Sequence, residues 1–135
     1  MAACFDADLD IIGPCGFALT DKALRRAAMD YAGHARVRRH DGLAAFLADP
    51  ARATGRLILL EPDGRVRLHD MAFAPGDTLL LGRESAGSPP EVYDAAAVVV
   101  RIPLTAGLRS LNVAVAGAVA LAEGLRQTGG FRGFP

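Results

Sequence analysis

The 135-residue chain has no tryptophan, two cysteines, three histidines and no excess of charge of either sign. Its 15 basic side chains balance 15 acidic ones, which argues against a protein that coats nucleic acid nonspecifically. Hydrophobic residues make up 51% of the chain, which is too many for a disordered protein. The length fits a single domain, residues 1–135, whose core needs neither metal nor disulfide.

The two cysteines, Cys4 and Cys15, are too few for a disulfide framework and do not form a Cys-x-x-Cys pair. No histidine follows them at the spacing of a zinc site. We therefore predict reduced thiols in the core of a cytoplasmic protein that binds no metal. His34, His40 and His69 are expected to be surface or packing residues.

Long hydrophobic runs are also missing. Asp6, Asp8 and Asp10 interrupt the first residues, so we expect no secretory signal. The apolar run from Val113 to Ala122 is shorter than the roughly 20 residues that a membrane-spanning helix needs. We expect a soluble protein without membrane contact.

Short apolar runs alternate with helical patterns along the chain. Strands are predicted at 9–12, 35–39, 56–60, 78–81 and 98–102. Helices are predicted at 21–31 after Thr20, at 42–48, shortly after Pro90 and at 110–128. This alternation predicts an α/β fold with a parallel sheet that helices flank on both faces.

The last predicted helix is apolar almost all round. One face carries Leu111, Val115, Ala118, Ala122 and Leu125, and a second carries Val113, Gly117, Ala120 and Gly124. Because small residues allow close approach, we expect the second face to contact something beyond the helix's own sheet, with burial inside one domain as the alternative. Gly129 and Gly130 are expected to end the helix.

The stretch from Leu79 to Asn112 is the most informative part of the chain. It contains LLLGRESAGSPP and RIPLTAGLRSLN, and each ends an apolar strand in a loop with glycine or proline. Two such loops side by side can bind a flat ligand through backbone N–H and C=O groups. The stretch therefore predicts a cofactor pocket.

These two segments resemble motifs two and three of the SPOUT superfamily of RNA methyltransferases. IIGPCGFALTDKALRRAAMDY, FAPGDTLLLG and EGLRQTGG narrow the resemblance to the small tRNA wobble-nucleotide 2′-O-methyltransferases. The resemblance implies a fold with a C-terminal trefoil knot and S-adenosylmethionine as cofactor. It further implies methyl transfer to the ribose 2′-hydroxyl of the wobble cytidine or modified uridine in leucine-type tRNA, by a homodimer that uses the last helix.

The resemblance also implies roles for individual residues. The cofactor-binding positions are Leu60, Gly82, Ile102, Ser110 and Leu111, and the catalytic positions are Glu84, Arg109 and Asn112. Taken alone, Gly82 could serve only a turn, Ser110 could cap the last helix, and Glu84 could only accept backbone hydrogen bonds within its loop. Asn112 is expected one step inside the helix, where its amide would need a specific hydrogen bond.

Positive charge is concentrated between residues 20 and 40. Six basic residues against two aspartates give this segment a formal charge of 6 − 2 = +4. By resemblance, Arg25, Arg26, Arg38 and Arg39 contact tRNA, and a guanidinium group suits phosphate because it binds with two N–H groups. The alternative is an ordinary solvated surface.

The chain departs from the family at its start and beside Leu60. Relatives begin with a strand, an Asn-x-Gly loop and an arginine, which precede the helix that matches Ala2 to Phe5, so we expect the native protein to begin about twenty residues earlier. Glu61-Pro62-Asp63 replaces a stretch richer in threonine and lysine, and Ala86 stands where many relatives have arginine.

A non-catalytic relative that binds the cofactor or RNA is the alternative to an active enzyme. A nucleotide-binding redox domain is excluded, because no Gly-x-Gly-x-x-Gly follows the first strand.

Overall fold

The computed structural model describes residues 1–14, 33–52, 55–82 and 87–131. The chain divides into two compact units, Met1–Arg52 and Ala53–Pro135, which are described separately. The single domain expected for residues 1–135 stays a prediction. The predicted helix at 21–31 and Cys15 lie outside the described residues.

The described residues of the first unit form two paired strands and a short α-helix. A 3-10 turn at Ala2–Phe5 precedes strand β1 at Leu9–Ile12, and strand β2 at Val37–His40 precedes helix α1 at Leu43–Ala48. The strands are parallel, with Leu9 opposite Val37 and Ile12 opposite His40. Strand β1 has the predicted bounds, and β2 begins two residues later than predicted because Ala35 and Arg36 precede the ladder.

His40 has a packing role in this unit. Its side chain is 6% exposed, and its Nε2 lies 2.8 Å from the Asp10 carboxylate. Its ring meets the buried Phe46 ring edge-on, with 5.3 Å between centroids. His34 and His69 are exposed, so the expected surface or packing roles are confirmed. Cys4 is a free thiol, but it is exposed, so the prediction of a core position is wrong for this residue.

The second unit contains a parallel sheet of four strands among its described residues. The strands are β3 at Leu57–Leu60, β4 at Val66–Arg67, β5 at Thr78–Leu81 and β6 at Val98–Arg101, in the order β4-β6-β3-β5. All neighbouring strands are parallel, as predicted. Strand β4 was not predicted, because two residues are too few to show an alternating pattern.

Strand β3 forms the centre of the core. Ile58 and Leu59 are fully buried, and Val100 on the neighbouring β6 is 1% exposed. Burial of side chains of this size contributes roughly 1.5 to 3 kcal/mol each. The strand is apolar at every position because, in a parallel sheet, both faces are covered.

Two helices accompany the sheet, α2 at Pro90–Ala95 and α3 at Val113–Thr128. The small-residue face of α3 packs inside its own unit: Gly117 and Ala120 are buried, and Gly124 lies against the Phe73 ring. Val115 and Val119 on the opposite face are 50% and 42% exposed. The expectation that the small residues contact something beyond the sheet is therefore wrong. Small side chains instead let the helix approach its own core closely.

The carboxyl end of α3 is fixed by Gln127. Its Nε2 donates to the Met71 carbonyl at 2.9 Å, and its Oε1 accepts from the Phe73 N–H at 2.9 Å. Gly129, at a φ of 66°, ends the helix, and the Gly130 N–H donates to the Leu125 carbonyl at 2.8 Å. The predicted glycine termination is confirmed.

Asp77 joins the turn before β5 to the start of β3. Arg56 donates to both of its carboxylate oxygens, at 3.0 and 2.7 Å, and the Ala74 N–H donates to one of them. Burial alone would raise the pKa of Asp77, but the hydrogen bonds from Arg56 and Ala74 outweigh it and lower the pKa below 3.8. The ionised carboxylate is thus favoured by folding.

We expect acid to remove this contribution. Since the folded pKa lies below the unfolded value of 3.8, the stabilisation is fully present above that pH and is lost as the pH falls through the folded pKa. Asp77→Asn should cost about 1 to 3 kcal/mol at pH 7 and lose less stability than the native protein below pH 4. Urea unfolding at a series of pH values measures both.

Asp70→Asn, which removes an exposed ion pair with Arg67, is the matched control and should change little. Equal acid sensitivity of Asp77→Asn and the native protein would contradict this assignment.

Within the described ranges, no helix combines the length and apolar character that crossing a bilayer would require. The same residues contain no cluster of three or more side chains arranged to hold a metal ion.

Candidate functional site

A cavity of about 670 Å³ lies in the second unit, where strands β3, β5 and β6 end. Its walls are residues 60–62, 81–82, 87, 101–113 and 116. The three strands are parallel, so their carboxyl ends share one edge of the sheet, and ligands of parallel α/β sheets bind at that edge. The volume is within the range of small-molecule sites.

The structure brings the predicted site residues together around this cavity. It is lined by the five predicted cofactor-binding residues and by two of the three predicted catalytic ones: Leu60, Gly82, Ile102, Ser110, Leu111, Arg109 and Asn112. Glu84, the third predicted catalytic residue, lies outside the described residues. Residues separated by up to 112 − 60 = 52 positions thus line one cavity, because they lie in segments that follow strands of the same sheet.

Gly82 is a glycine for a reason that the sequence did not show. A Cβ atom there would overlap the Glu61 carboxylate and lie 2.9 Å from the Ser88 Oγ. A side chain at this position would therefore require the Glu61 carboxylate and the Ser88 hydroxyl to move. The glycine thus accommodates a neighbouring side chain, which is a reason separate from the cofactor contact and the turn that the sequence suggests.

Asn112 is the N-cap of α3. Its Oδ1 accepts hydrogen bonds from the N–H groups of Ala114 and Val115, at 3.0 and 3.3 Å. The predicted position of Asn112 inside the helix is wrong, and so is the capping role considered for Ser110, because the helix begins three residues later than predicted. Asparagine is among the most favourable N-cap residues. Ser110 is left in the loop that lines the cavity.

Glu61 is a cavity residue that the sequence reasoning missed. It is 7% exposed, and its Oε1 accepts a hydrogen bond from the Ser88 N–H at 2.8 Å. Nothing in the sequence distinguishes it from a surface glutamate except its place directly after the apolar β3, at the end of a strand where binding residues concentrate.

The turn that follows Glu61 is held in place by both strands and helix. Gly64 packs so closely on Val100 that a Cβ atom would lie 2.5 Å from the Val100 carbonyl carbon, and Arg101 donates to the Gly64 carbonyl at 2.7 Å. The Tyr93 hydroxyl donates to Asp63 at 3.0 Å. Burial, reinforced by this bond and by nearby carboxylates, raises the pKa of Tyr93 to about 12.

The predicted RNA-binding arginines belong to the first unit, where two of the four are described. Arg38 pairs with Asp8 at 3.1 Å and with Asp10 at 2.9 Å, and it is 34% exposed. Arg36 pairs in the same way with Asp6 and Asp8. The net positive charge around Arg36 and Arg38 is therefore smaller than the charge count along the sequence suggests. Three aspartates that precede or lie in β1 are close to these arginines through the pairing of β1 with β2: Asp6, Asp8 and Asp10.

Arg39 is exposed. Arg25 and Arg26 lie outside the described residues. The tRNA-contacting role of all four arginines stays a prediction.

Comparison with known proteins agrees with the resemblance that the sequence motifs indicate. A model of the SpoU rRNA Methylase family matches residues 1–122. A tRNA (cytidine(34)-2'-O)-methyltransferase of Ancylobacter novellus is 50% identical over 130 residues, which cover 96% of this chain and 82% of the relative. One of the same name from Beijerinckia indica is 44% identical over 129 residues, covering 96% and 81%. A solved structure described as "Structural insights into the 2-OH methylation of C/U34 on tRNA" has a TM-score of 0.83 and 41% identity, covering 93% of this chain and 82% of that one. The resemblance that the motifs indicated is confirmed.

The capping role of Asn112 can be tested apart from catalysis. Asn112→Ala should lower the free energy of unfolding by about 1 kcal/mol, because two N–H groups at the start of α3 lose their acceptor. Asn112→Ser should retain most of the stability, since its hydroxyl oxygen can accept the same bonds. Urea unfolding measures both, and an alanine variant as stable as the native protein would refute the assignment.

Proposed function

Because the chain belongs to the SpoU rRNA methylase family, we propose that it transfers the methyl group of S-adenosylmethionine to the ribose 2′-hydroxyl of nucleotide 34 in tRNA. Two relatives that share most of its length are named for this reaction on cytidine 34. The observation that carries the proposal is the cavity itself, since seven residues assigned to the cofactor or to catalysis line it together. A leucine-type tRNA, with cytidine or modified uridine at the wobble position, is the proposed substrate.

The residues present fit such a donor. The cavity combines the apolar side chains of Leu60, Ile102 and Leu111 with the backbone of two loops, which offers an apolar wall and N–H and C=O groups for a flat adenine ring. We propose that backbone atoms at Leu60, Gly82 and Ile102 bind the adenine. Ser110 and Leu111 would complete the wall from the opposite loop.

The chemical step is a displacement. The 2′-oxygen would form a bond to the methyl carbon of the donor, the carbon–sulfur bond would break with its electron pair going to sulfur, and the hydroxyl proton would pass to water. A sulfonium is already a good leaving group, so the protein contributes mainly by aligning the reactants and by helping the proton to leave.

Three polar residues are proposed to act on the ribose. Arg109 lines the cavity and would provide positive charge beside the hydroxyl as it loses its proton. Asn112 is held at the cavity wall by the bonds that its Oδ1 makes to the start of α3. Glu84 keeps its proposed catalytic role by resemblance.

The proposal includes a homodimer formed through the exposed face of α3. Val115 and Val119 are 50% and 42% exposed, and Leu108 in the preceding loop is 69% exposed. A row of exposed aliphatic side chains on one helix is typical of a protein interface, and a twofold pair buries the same row on both copies.

Two further features accompany the function. We propose that residues 79–112 and the last helix form the trefoil knot of the family, which would hold the cavity loops together. Since tRNA is the proposed substrate, the cytoplasm is the proposed location.

Methyl transfer can be tested directly. Incubation with S-adenosylmethionine and an unmodified leucine tRNA transcript should place a methyl group on the ribose of nucleotide 34, read by mass spectrometry of nuclease fragments. A transcript with 2′-deoxyribose at that nucleotide should accept none, because the acceptor oxygen is missing. Binding of S-adenosylmethionine without transfer would instead support the non-catalytic alternative.

The dimer is tested by Val115→Arg. An arginine in the middle of a buried apolar interface leaves a charge without a partner, so sedimentation velocity should show a folded monomer in place of the dimer. Ala97→Arg introduces the same side chain at an exposed position outside α3 and should leave the mass unchanged. A native protein that sediments as a monomer would contradict the proposal.

A further inference from the structure

Glu61 directly follows β3 and lies beside the connection between β5 and α2. Its backbone is fixed on both sides, since its N–H donates to the Val100 carbonyl at 3.0 Å and its carbonyl accepts from the Gly64 N–H at 3.1 Å. The side chain is therefore directed by the end of β3, and it is 93% buried. Glu61 also lines the cavity.

The carboxylate contacts both described ends of the connection between β5 and α2. At one end its Oε1 occupies the space that a side chain at Gly82 would need. At the other end the same oxygen accepts the Ser88 N–H at 2.8 Å, and Oε2 lies 4.0 Å from where a Cβ would stand on Gly87. Gly87, at a φ of 66°, has a conformation that favours glycine.

A buried carboxylate is costly unless it makes hydrogen bonds. Among the described residues, the Ser88 N–H donates to the Glu61 carboxylate, and Glu61 takes part in no ion pair with another described residue. Burying the Glu61 carboxylate in the cavity wall costs free energy. This cost is explained if the carboxylate sets the shape of that wall.

We propose that Glu61 is a positioning residue for the methyl donor. Its carboxylate joins the end of β3 to Gly82 and Ser88, and so fixes the width of the cavity in which the donor binds. Glu61 acts through the backbone of these residues and takes no part in the transfer. This inference rests on the proposed function, because it assumes S-adenosylmethionine as the occupant.

The first test is titration of the full chain with S-adenosylmethionine by calorimetry, together with steady-state kinetics. Glu61→Ala removes the acceptor for the Ser88 N–H, so the dissociation constant and KM for the donor should rise about tenfold. KM for tRNA should stay within about twofold, because a lost hydrogen bond of this kind acts locally. Glu61→Gln keeps an acceptor oxygen at the same distance and should restore donor binding. Asp63→Asn, an acidic residue on the same turn that is exposed, is the control and should bind the donor as the native protein does.

The second test is a double-mutant cycle between Glu61 and Gly82. Gly82→Ala alone should weaken donor binding about tenfold or more, because its Cβ overlaps the carboxylate. In the Glu61→Ala background the overlap with the carboxylate is gone and the 2.9 Å approach to the Ser88 Oγ remains, so Gly82→Ala should weaken donor binding clearly less than it does alone. Thermal unfolding of each variant identifies one that is poorly folded, and the calorimetric comparison of Glu61→Ala with Glu61→Gln stays informative without the cycle.

The outcomes separate the two claims. Native binding of the donor with no weakening in Glu61→Ala, or strictly additive effects in the cycle, would overturn the role of Glu61 and leave the proposed function intact. Failure of the native protein to bind S-adenosylmethionine would overturn both. Weaker binding in Glu61→Ala, rescue by glutamine and non-additivity would together establish the positioning role.

Discussion

The burial of β3 between β5 and β6 is the constraint on which the second unit depends. Ile58 and Leu59 are fully buried on this strand, and its neighbours on both sides run in the same direction. Parallel strands must end at one common edge, so the residues that follow them are brought together whatever their separation in sequence. Leu60, Gly82 and Ile102 become neighbours of one cavity in this way. The site is thus a consequence of the packing of an apolar strand.

Much of this could be predicted from sequence, for reasons that particular elements illustrate. Strands β1 and β5 have the expected bounds, because their apolar runs are delimited by acidic residues or glycine. The cavity residues are predicted by the resemblance to the family's motifs, and these motifs follow strands, where binding residues concentrate. Gly129 was predicted as a helix end because the left-handed conformation that it adopts favours glycine.

Features that depend on tertiary neighbours could not be predicted. The start of α3 was placed at Ser110, since serine and asparagine are both good caps and only the helix geometry shows which one accepts the N–H groups. Which face of α3 is buried depends on the shape of the surface beneath it, where Phe73 approaches Gly124. The aspartates beside Arg36 and Arg38 are close only through strand pairing, so a charge count along the sequence overstated the positive patch.

The anchoring of α3 at Gln127 has a consequence for the opposite end of that helix. The helix has 16 residues and therefore a length of about 24 Å, and Asn112 at its first turn belongs to the cavity wall. An α-helix is stiff along its axis. The hydrogen bonds between the Gln127 amide and the backbone of Met71 and Phe73 therefore limit how far α3 can move along the sheet. The spacing between the loops proposed to bind the donor and the polar residues proposed to act on the ribose is thereby set by a contact remote from the cavity.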